Sequence, residues 1–301
     1  MSGGGGRLAA IDVGSNTILL TVAEADPDHG LRIIEEAEDQ PRLGAGLGRS
    51  GRLQEEAIQR ALHTLTRMRE ACRRLGAQRI GAVATAAVRE AVNGGEFVQR
   101  VRELDIPLRV ISPEAEAALS YGSAAYRFGS EGRMLVADIG GSSLELIGAA
   151  AGTVSLTRSL SLGAVRLTEL HLSQEELRRY IQEALAAAIS GDQWRDARVI
   201  GSGGTFATLA SMALAQRGQK ANGIHGTAIE KNEVEQLLET LAGMSLEELR
   251  QMPGLRPERA DIIAAGLAVV VELLSAVHAD SVTVSAFGLR DGLLLEMMGM
   301  E

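Results

Sequence analysis

The sequence predicts an α/β protein built as two similar halves, and three observations point there. Strand-like apolar runs alternate with helical patterns in two successive rounds along 301 residues. Two segments, Ile11-Asp12-Val13-Gly14-Ser15-Asn16-Thr17 and Ala137-Asp138-Ile139-Gly140-Gly141-Ser142-Ser143-Leu144-Glu145, repeat one design: an apolar strand ends in Asp, a small-residue turn follows, and a second strand begins. The chain is 46% apolar but only 3% aromatic, so its core is made of Ala, Leu, Val and Ile, a composition suited to stacked α/β layers. A chain of this length buries a large core and is long enough for two domains.

In the first round, Leu8–Val13, Thr17–Ala23 and Leu31–Ala37 read as a strand meander, followed by a Gly- and Arg-rich loop over 42–50. Leu53, Ala57, Ile58, Ala61, Leu62, Leu65, Met68, Cys72 and Leu75 then recur at helical spacing, with Ser50 or Gly51 at the helix start. Strand Arg79–Ala84, a short helix near 86–91, helix Glu96–Leu104, strand Leu108–Ile111 and helix Pro113–Phe128 complete that half. Pro113 suits a first helical turn, where its missing N–H costs nothing.

The second round restarts with strands at Arg133–Asp138, Leu144–Ala149 and Val154–Ser159, then helices at 164–171 and 174–188 and strand Arg198–Ile200. The turn Gly201-Ser202-Gly203-Gly204-Thr205 launches another helix. Helices at 231–242, 246–251 and 257–277, strand Ser281–Ser285 and a last helix at 288–300 follow. Two βββαβα halves facing a cleft are the architecture of the actin-like ATPases and sugar kinases, a ribonuclease H-like fold. The first domain is expected over 1–125 and the second over 126–301, with the terminal helix, about 288–301, free to pack back on the first.

The repeated turns suggest a chemistry. Gly and Ser let backbone N–H groups converge on an anion, because no bulky Cβ blocks the approach and Gly adopts positive φ. Gly14, Ser15, Asn16 and Thr17 in one half, and Gly140, Gly141, Ser142 and Ser143 in the other, are therefore candidate phosphate-binding residues. Gly203, Gly204 and Thr205 form a third candidate, too short for a Walker loop and lacking its Lys. The neighbouring Asp12 and Asp138 suit a divalent cation bound through water.

Other readings narrow the class. The net charge of −9 argues against broad attraction of DNA or RNA. One cysteine, Cys72, excludes a disulfide framework, favours a reducing compartment and reads as a small core residue. Residues 1–7 read as a flexible leader rather than a signal peptide, and no run of 18 apolar residues exists, so a soluble cytoplasmic protein without a membrane partner is expected. His29, His63, His171, His225 and His278 lack metal-ligand spacing, and no Gly-x-Ser-x-Gly elbow appears.

Six segments carry a resemblance: Ala10–Asn16, Ala84-Thr85-Ala86-Ala87-Val88-Arg89-Glu90-Ala91-Val92-Asn93, Asp138-Ile139-Gly140-Gly141, Leu162-Gly163-Ala164-Val165-Arg166-Leu167-Thr168-Glu169, Pro253-Gly254-Leu255 with Arg259-Ala260-Asp261, and Gly288-Leu289-Arg290-Asp291-Gly292. Nearly end to end, the chain resembles the exopolyphosphatase/guanosine pentaphosphate phosphohydrolase (Ppx/GppA) family in its short two-domain form. The resemblance implies Mg²⁺- or Mn²⁺-dependent hydrolysis of a terminal phosphoanhydride in inorganic polyphosphate or in pppGpp, giving ppGpp. It makes Glu116, in Ile111-Ser112-Pro113-Glu114-Ala115-Glu116-Ala117, the general base, and Arg89 a phosphoryl contact. Asp138 and Glu145 become catalytic metal-site residues, with Asp12 completing the metal shell.

Without the flanking pattern, Glu116 reads as a solvated helix carboxylate and Arg89 as an ion-pair partner of Glu90 or Glu96. Arg42, Arg49 and Arg166 read equally as contacts to a polyphosphate tail and as solvated positions. The chain departs from the family at Ala115, where Glu is usual, and at Leu144, where Thr would supply a hydroxyl able to bind phosphate or a metal's water. Those departures keep a non-catalytic (p)ppGpp- or polyphosphate-binding regulator open, and the fold keeps a small-molecule kinase open. A short-chain polyphosphate preference is expected, and a homodimer is allowed.

Overall fold

The computed structural model describes residues 6–26, 30–189, 192–219 and 223–299. Most of the expected leader, His29, Lys220 and the end of the expected terminal helix lie outside them. The chain divides into two compact units, Met1–Ser123 with Leu289–Glu301, and Ala124–Gly288. The terminal helix thus belongs to the first unit.

In chain order the first unit contains β1 (Arg7–Val13), β2 (Ile18–Asp26), β3 (Gly30–Asp39), α1 (Leu47–Ser50), α2 (Glu55–Arg74), β4 (Arg79–Ala84), α3 (Ala86–Glu90), α4 (Gly94–Arg102) and β5 (Leu108–Val110). Helix α5 (Pro113–Phe128) runs from this unit into the second. The second unit continues with β6 (Arg133–Ile139), β7 (Leu144–Ala150), β8 (Thr153–Leu160), α6 (Ala164–Glu169), α7 (Gln174–Ala188), β9 (Arg198–Ser202), α8 (Gly203–Gln216), β10 (Ala228–Glu230), α9 (Lys231–Ala242), α10 (Leu246–Arg250), α11 (Ile263–Ala276) and β11 (Ser281–Val284). Helix α12 (Leu289–Met298) returns to the first.

The first sheet has strand order β3-β2-β1-β4-β5. Its central strand β1 runs antiparallel to β2 and parallel to β4. Because side chains alternate along a strand, β1 serves two cores. Ala9, Ile11 and Val13 pack with Ile58, Leu65 and Phe97 of α2 and α4, whereas Leu8 and Ala10 pack with Leu289, Leu293 and Leu294 of α12. Each such fully buried large side chain contributes about 1.5–3 kcal/mol of transfer free energy. Asp12 shares the Leu8 and Ala10 parity and stands at the end of the strand.

The second sheet, β10-β11-β9-β6-β7-β8, repeats that plan with β6 in the place of β1. It runs antiparallel to β7 and parallel to β9. Leu135, Ala137 and Ile139 enter the core with Leu144 and Leu146, which leaves Asp138 and Glu145 on the other face. The two actin-like βββαβα units predicted from the alternation are present. Gly148, at a bulge between Gly148 and Ala149 in β7, leaves room for the buried indole of Trp194, with which a Cβ there would collide.

Local departures from the expected elements have physical causes. Helix α2 starts at Glu55 rather than near Ser50, because Asn93 clasps Leu53 through both backbone groups, at 2.9 and 3.0 Å. The 42–50 loop contains one helical turn, α1, bounded by Gly46 and Gly51 at positive φ. The segment 257–277 is not one helix: a 3₁₀ turn at Pro257–Arg259 precedes α11, and Arg259 is turned inward and buried. Strand β10, three residues long, carries no alternation long enough to read from sequence. No helix among the described residues is long and apolar enough to cross a membrane.

Candidate active site

The two repeated turns close in the same way. In the first unit Gly14 N donates to Thr17 O at 3.0 Å, and in the second Gly140 N donates to Ser143 O at 3.0 Å. Each is backed by the segment that follows the third strand of its unit. Gly44 N and Arg42 N donate to the carbonyls of Ser15 and Asn16, at 2.7 and 3.0 Å. Ala164 N and Arg166 N donate to the carbonyls of Gly140 and Gly141, both at 3.0 Å. Gly163 permits this close approach, since a Cβ there would run into the Ser142–Ser143 peptide. Ser15, Asn16, Ser142 and Ser143 are all buried, and Thr17 is half-buried. Oδ1 of Asn16 is a buried acceptor with no hydrogen-bond partner among the described residues.

Beside the second turn, strand register sets a polar row across four strands. Asp138 stands opposite Glu145 on one side and Ser202 on the other, and Glu145 stands opposite Ser159. Ser202 Oγ donates to Asp138 Oδ2 at 2.8 Å, and Ser159 Oγ donates to Glu145 Oε1 at 2.9 Å. Burial pushes the Asp138 carboxyl above the usual carboxylate range, with the Ser202 hydrogen bond opposing it. Gly203, at φ 85°, lies against this carboxylate, leaving no room for a Cβ.

The third turn continues into α8. A Cβ at Gly204 would strike the Arg259 guanidinium, and Thr205 is buried against Gly266 of α11.

In the first unit, Arg89 and Glu116 are brought together. Nη1 of Arg89 lies 3.2 Å from Oε2 of Glu116 and donates to the Ile111 carbonyl at 2.8 Å. Neither Glu90 nor Glu96 is the partner in this contact. Glu116 is buried in the first turn of α5, where the helix dipole favours a carboxylate. Exposed Glu114 is held below the usual range by the Ser112 hydroxyl, its own backbone and the Arg89 charge.

The family departures land away from these groups. Ala115 is exposed, one residue off the Glu116 face. Leu144 is fully buried in the core of the second unit, so a hydroxyl at that position would face the core rather than the turn. Its expected cost to ligand binding is therefore corrected: Leu144 is a packing residue. Sequence reasoning gives no role to Ser159, and it does not pair Ser202, in the third turn, with Asp138 or turn Arg259, in the family motif, against Gly204. Ser159 and Ser202 follow from register alone, once strands are paired at the repeated Asp.

Among the described residues no group of three or more His, Cys, Asp or Glu side chains is placed to hold a metal ion. The Asp138–Glu145 pair nevertheless fits Mg²⁺, which binds through one or two carboxylates, phosphate oxygens and retained water. Raised by burial, the Asp138 carboxyl also stands where a cation would favour its charged form.

Twin strand–turn–strand units on a repeated sheet, one with paired carboxylates beside its turn, define a protein of the actin-like fold class. Within that class the chain belongs to the Ppx/GppA phosphatase family, which matches residues 21–301. It is similar to the crystal structure of the Aquifex aeolicus member of that family, at 30% identity over 97% of both chains and a TM-score of 0.82. It is also similar to an exopolyphosphatase from Cytophaga hutchinsonii, at 26% identity over 98% of this chain and 99% of that one, with a TM-score of 0.89.

Proposed function

We propose that this protein is an exopolyphosphatase that releases terminal orthophosphate from inorganic polyphosphate, with pppGpp as a second substrate converted to ppGpp. The observation that carries this reading is the matched closure of the two small-residue turns, one of them beside the in-register Asp138 and Glu145. Family membership supports a phosphohydrolase, and the exopolyphosphatase among its structural relatives supports the polyphosphate substrate.

The chemistry assigned to the residues is direct. Amides of Gly14–Thr17 and Gly140–Ser143 bind phosphoryl oxygens, with Gly203, Gly204 and Thr205 as a third set. Arg89 presents donors of its planar fork to a phosphoryl group while its Nη1 steadies Glu116. Glu116 accepts a proton from the attacking water as the new P–O bond forms and the bridging P–O bond breaks. Asp138 and Glu145 are the residues proposed to hold Mg²⁺ or Mn²⁺, which would supply charge neutralisation on the phosphoryl oxygens; Asp12, expected to complete the shell, is not placed with them among the described residues.

Short chains are the proposed preference. With a net charge of −9, phosphates remote from the turns meet a repulsive surface. The test is phosphate release from short polyphosphate, long polyphosphate and pppGpp side by side, with and without Mg²⁺. Release from short polyphosphate that requires the cation is expected. Phosphate release from none of the three would overturn the reading, and ATP-dependent phosphorylation of an acceptor would replace it with a kinase.

A further inference from the structure

Each peptide bond is planar and trans, so its C=O and the following N–H point in opposite directions. Fixing a carbonyl therefore aims the next amide. In the second turn three consecutive carbonyls are held from behind by one segment. Ala164 N holds Gly140 O, Arg166 N holds Gly141 O, and Arg166 Nε holds Ser142 O at 2.9 Å. By peptide planarity the N–H groups of Gly141, Ser142 and Ser143 are thereby turned away from that segment, the direction from which an anion would be met.

The first turn differs in its third bond. There Gly44 N holds Ser15 O and Arg42 N holds Asn16 O, both through backbone. At the position matching Asn16, the hold on Ser142 comes from a side chain.

We propose that Arg166 is a positioning residue: its Nε fixes the Ser142–Ser143 peptide and so aims the Ser143 amide at phosphate. This rests on the reading of the turn as a phosphate site. This account of Arg166 differs from contact with a polyphosphate tail, since the bond made by Nε goes to backbone of the turn.

Three substitutions separate geometry from charge. In Arg166→Gln the amide nitrogen occupies the place of Nε and keeps the donor without the charge. Arg166→Lys keeps the charge but puts a methylene at that place, and Arg166→Met has neither. Binding of inorganic pyrophosphate and of long polyphosphate to the full chain is measured by titration calorimetry, with amide exchange at Ser143 and melting temperature alongside.

Expected are near wild-type binding for the Gln variant and roughly tenfold losses for Lys and Met, the scale of one hydrogen bond. The losses should be equal for both ligands, and Ser143 exchange should be faster in those two variants. Retention by Lys with loss by Gln, losses that grow with chain length, or unchanged binding in all three would overturn the proposal. Absence of binding to the wild-type protein would overturn the phosphate reading of the turn, and the proposal with it. Should the Met variant fail to fold, the Gln and Lys pair decides the matter alone.

Discussion

Arg89 reaches across 27 sequence positions to place its Nη1 3.2 Å from Oε2 of the buried Glu116. The pair joins the helix after β4 to the first turn of α5. A carboxylate held in this way has a fixed orientation, which a group that must accept a proton from one water requires.

Glu116→Gln keeps an acceptor for Arg89 but removes the base. Turnover should fall by about 10²- to 10⁴-fold with little change in substrate binding. Steady-state rates together with pyrophosphate titration check this, and turnover near that of the unaltered protein removes Glu116 from the role.

Much of this was legible in the sequence. The repeated Asp-turn singles out Asp12 and Asp138, and two rounds of alternation foretell both sheets, because period-2 and period-3.6 patterns are long there. What was not legible depends on pairing between distant strands or on inward turns of short segments. Ser159 carries no motif of its own and Ser202 belongs to the third small-residue turn, and only register sets them beside Glu145 and Asp138. The Arg89–Glu116 contact was hidden because local sequence offered Glu90 and Glu96 as nearer partners. From sequence Leu144 reads as the loss of a ligand-side hydroxyl because strand parity at the turn exit is ambiguous by one residue, whereas its side chain lies in the core.

Asp138 and Glu145 share one cross-strand position, so their effects on the cation should overlap. Asp138→Asn and Glu145→Gln should each raise the Mg²⁺ concentration for half-maximal rate, and the double variant should be less impaired than the two changes summed. Mn²⁺ binding followed by electron paramagnetic resonance gives the same comparison without turnover. Full additivity would place one carboxylate outside the cation shell.

Burial of Asp138 also has a stability sign. Its folded-state value is raised, so the stability associated with this group is complete below the ordinary Asp value of about 3.9 and is lost as pH rises through the raised one. Asp138→Asn escapes that loss. In chelator-treated protein at pH 8 the variant should melt at a higher temperature than the unaltered protein. The advantage should shrink as the pH is lowered. A lower melting temperature for the variant at pH 8 would contradict the assignment.

Cys72 packs into the core of the first unit, and burial pushes its thiol up to about 11. Below that value the thiol stays protonated, and it is the thiolate that reacts. Iodoacetamide at pH 8 should leave the native protein unmodified and label one site in denaturant, as read by intact mass. Rapid labelling of native protein would show that this core opens.

The indole beneath the β7 bulge makes the second unit visible to light by itself. Trp194 is the chain's sole tryptophan and is almost wholly shielded from solvent, so its native emission should lie to the blue. A shift to the red then marks solvent reaching the sheet that carries Asp138 and Glu145, while loss of structure confined to the first unit leaves the spectrum unmoved. Fluorescence and thiol labelling at Cys72 therefore form two optical and chemical clocks, one per unit, by which the order of unfolding is timed in a single sample.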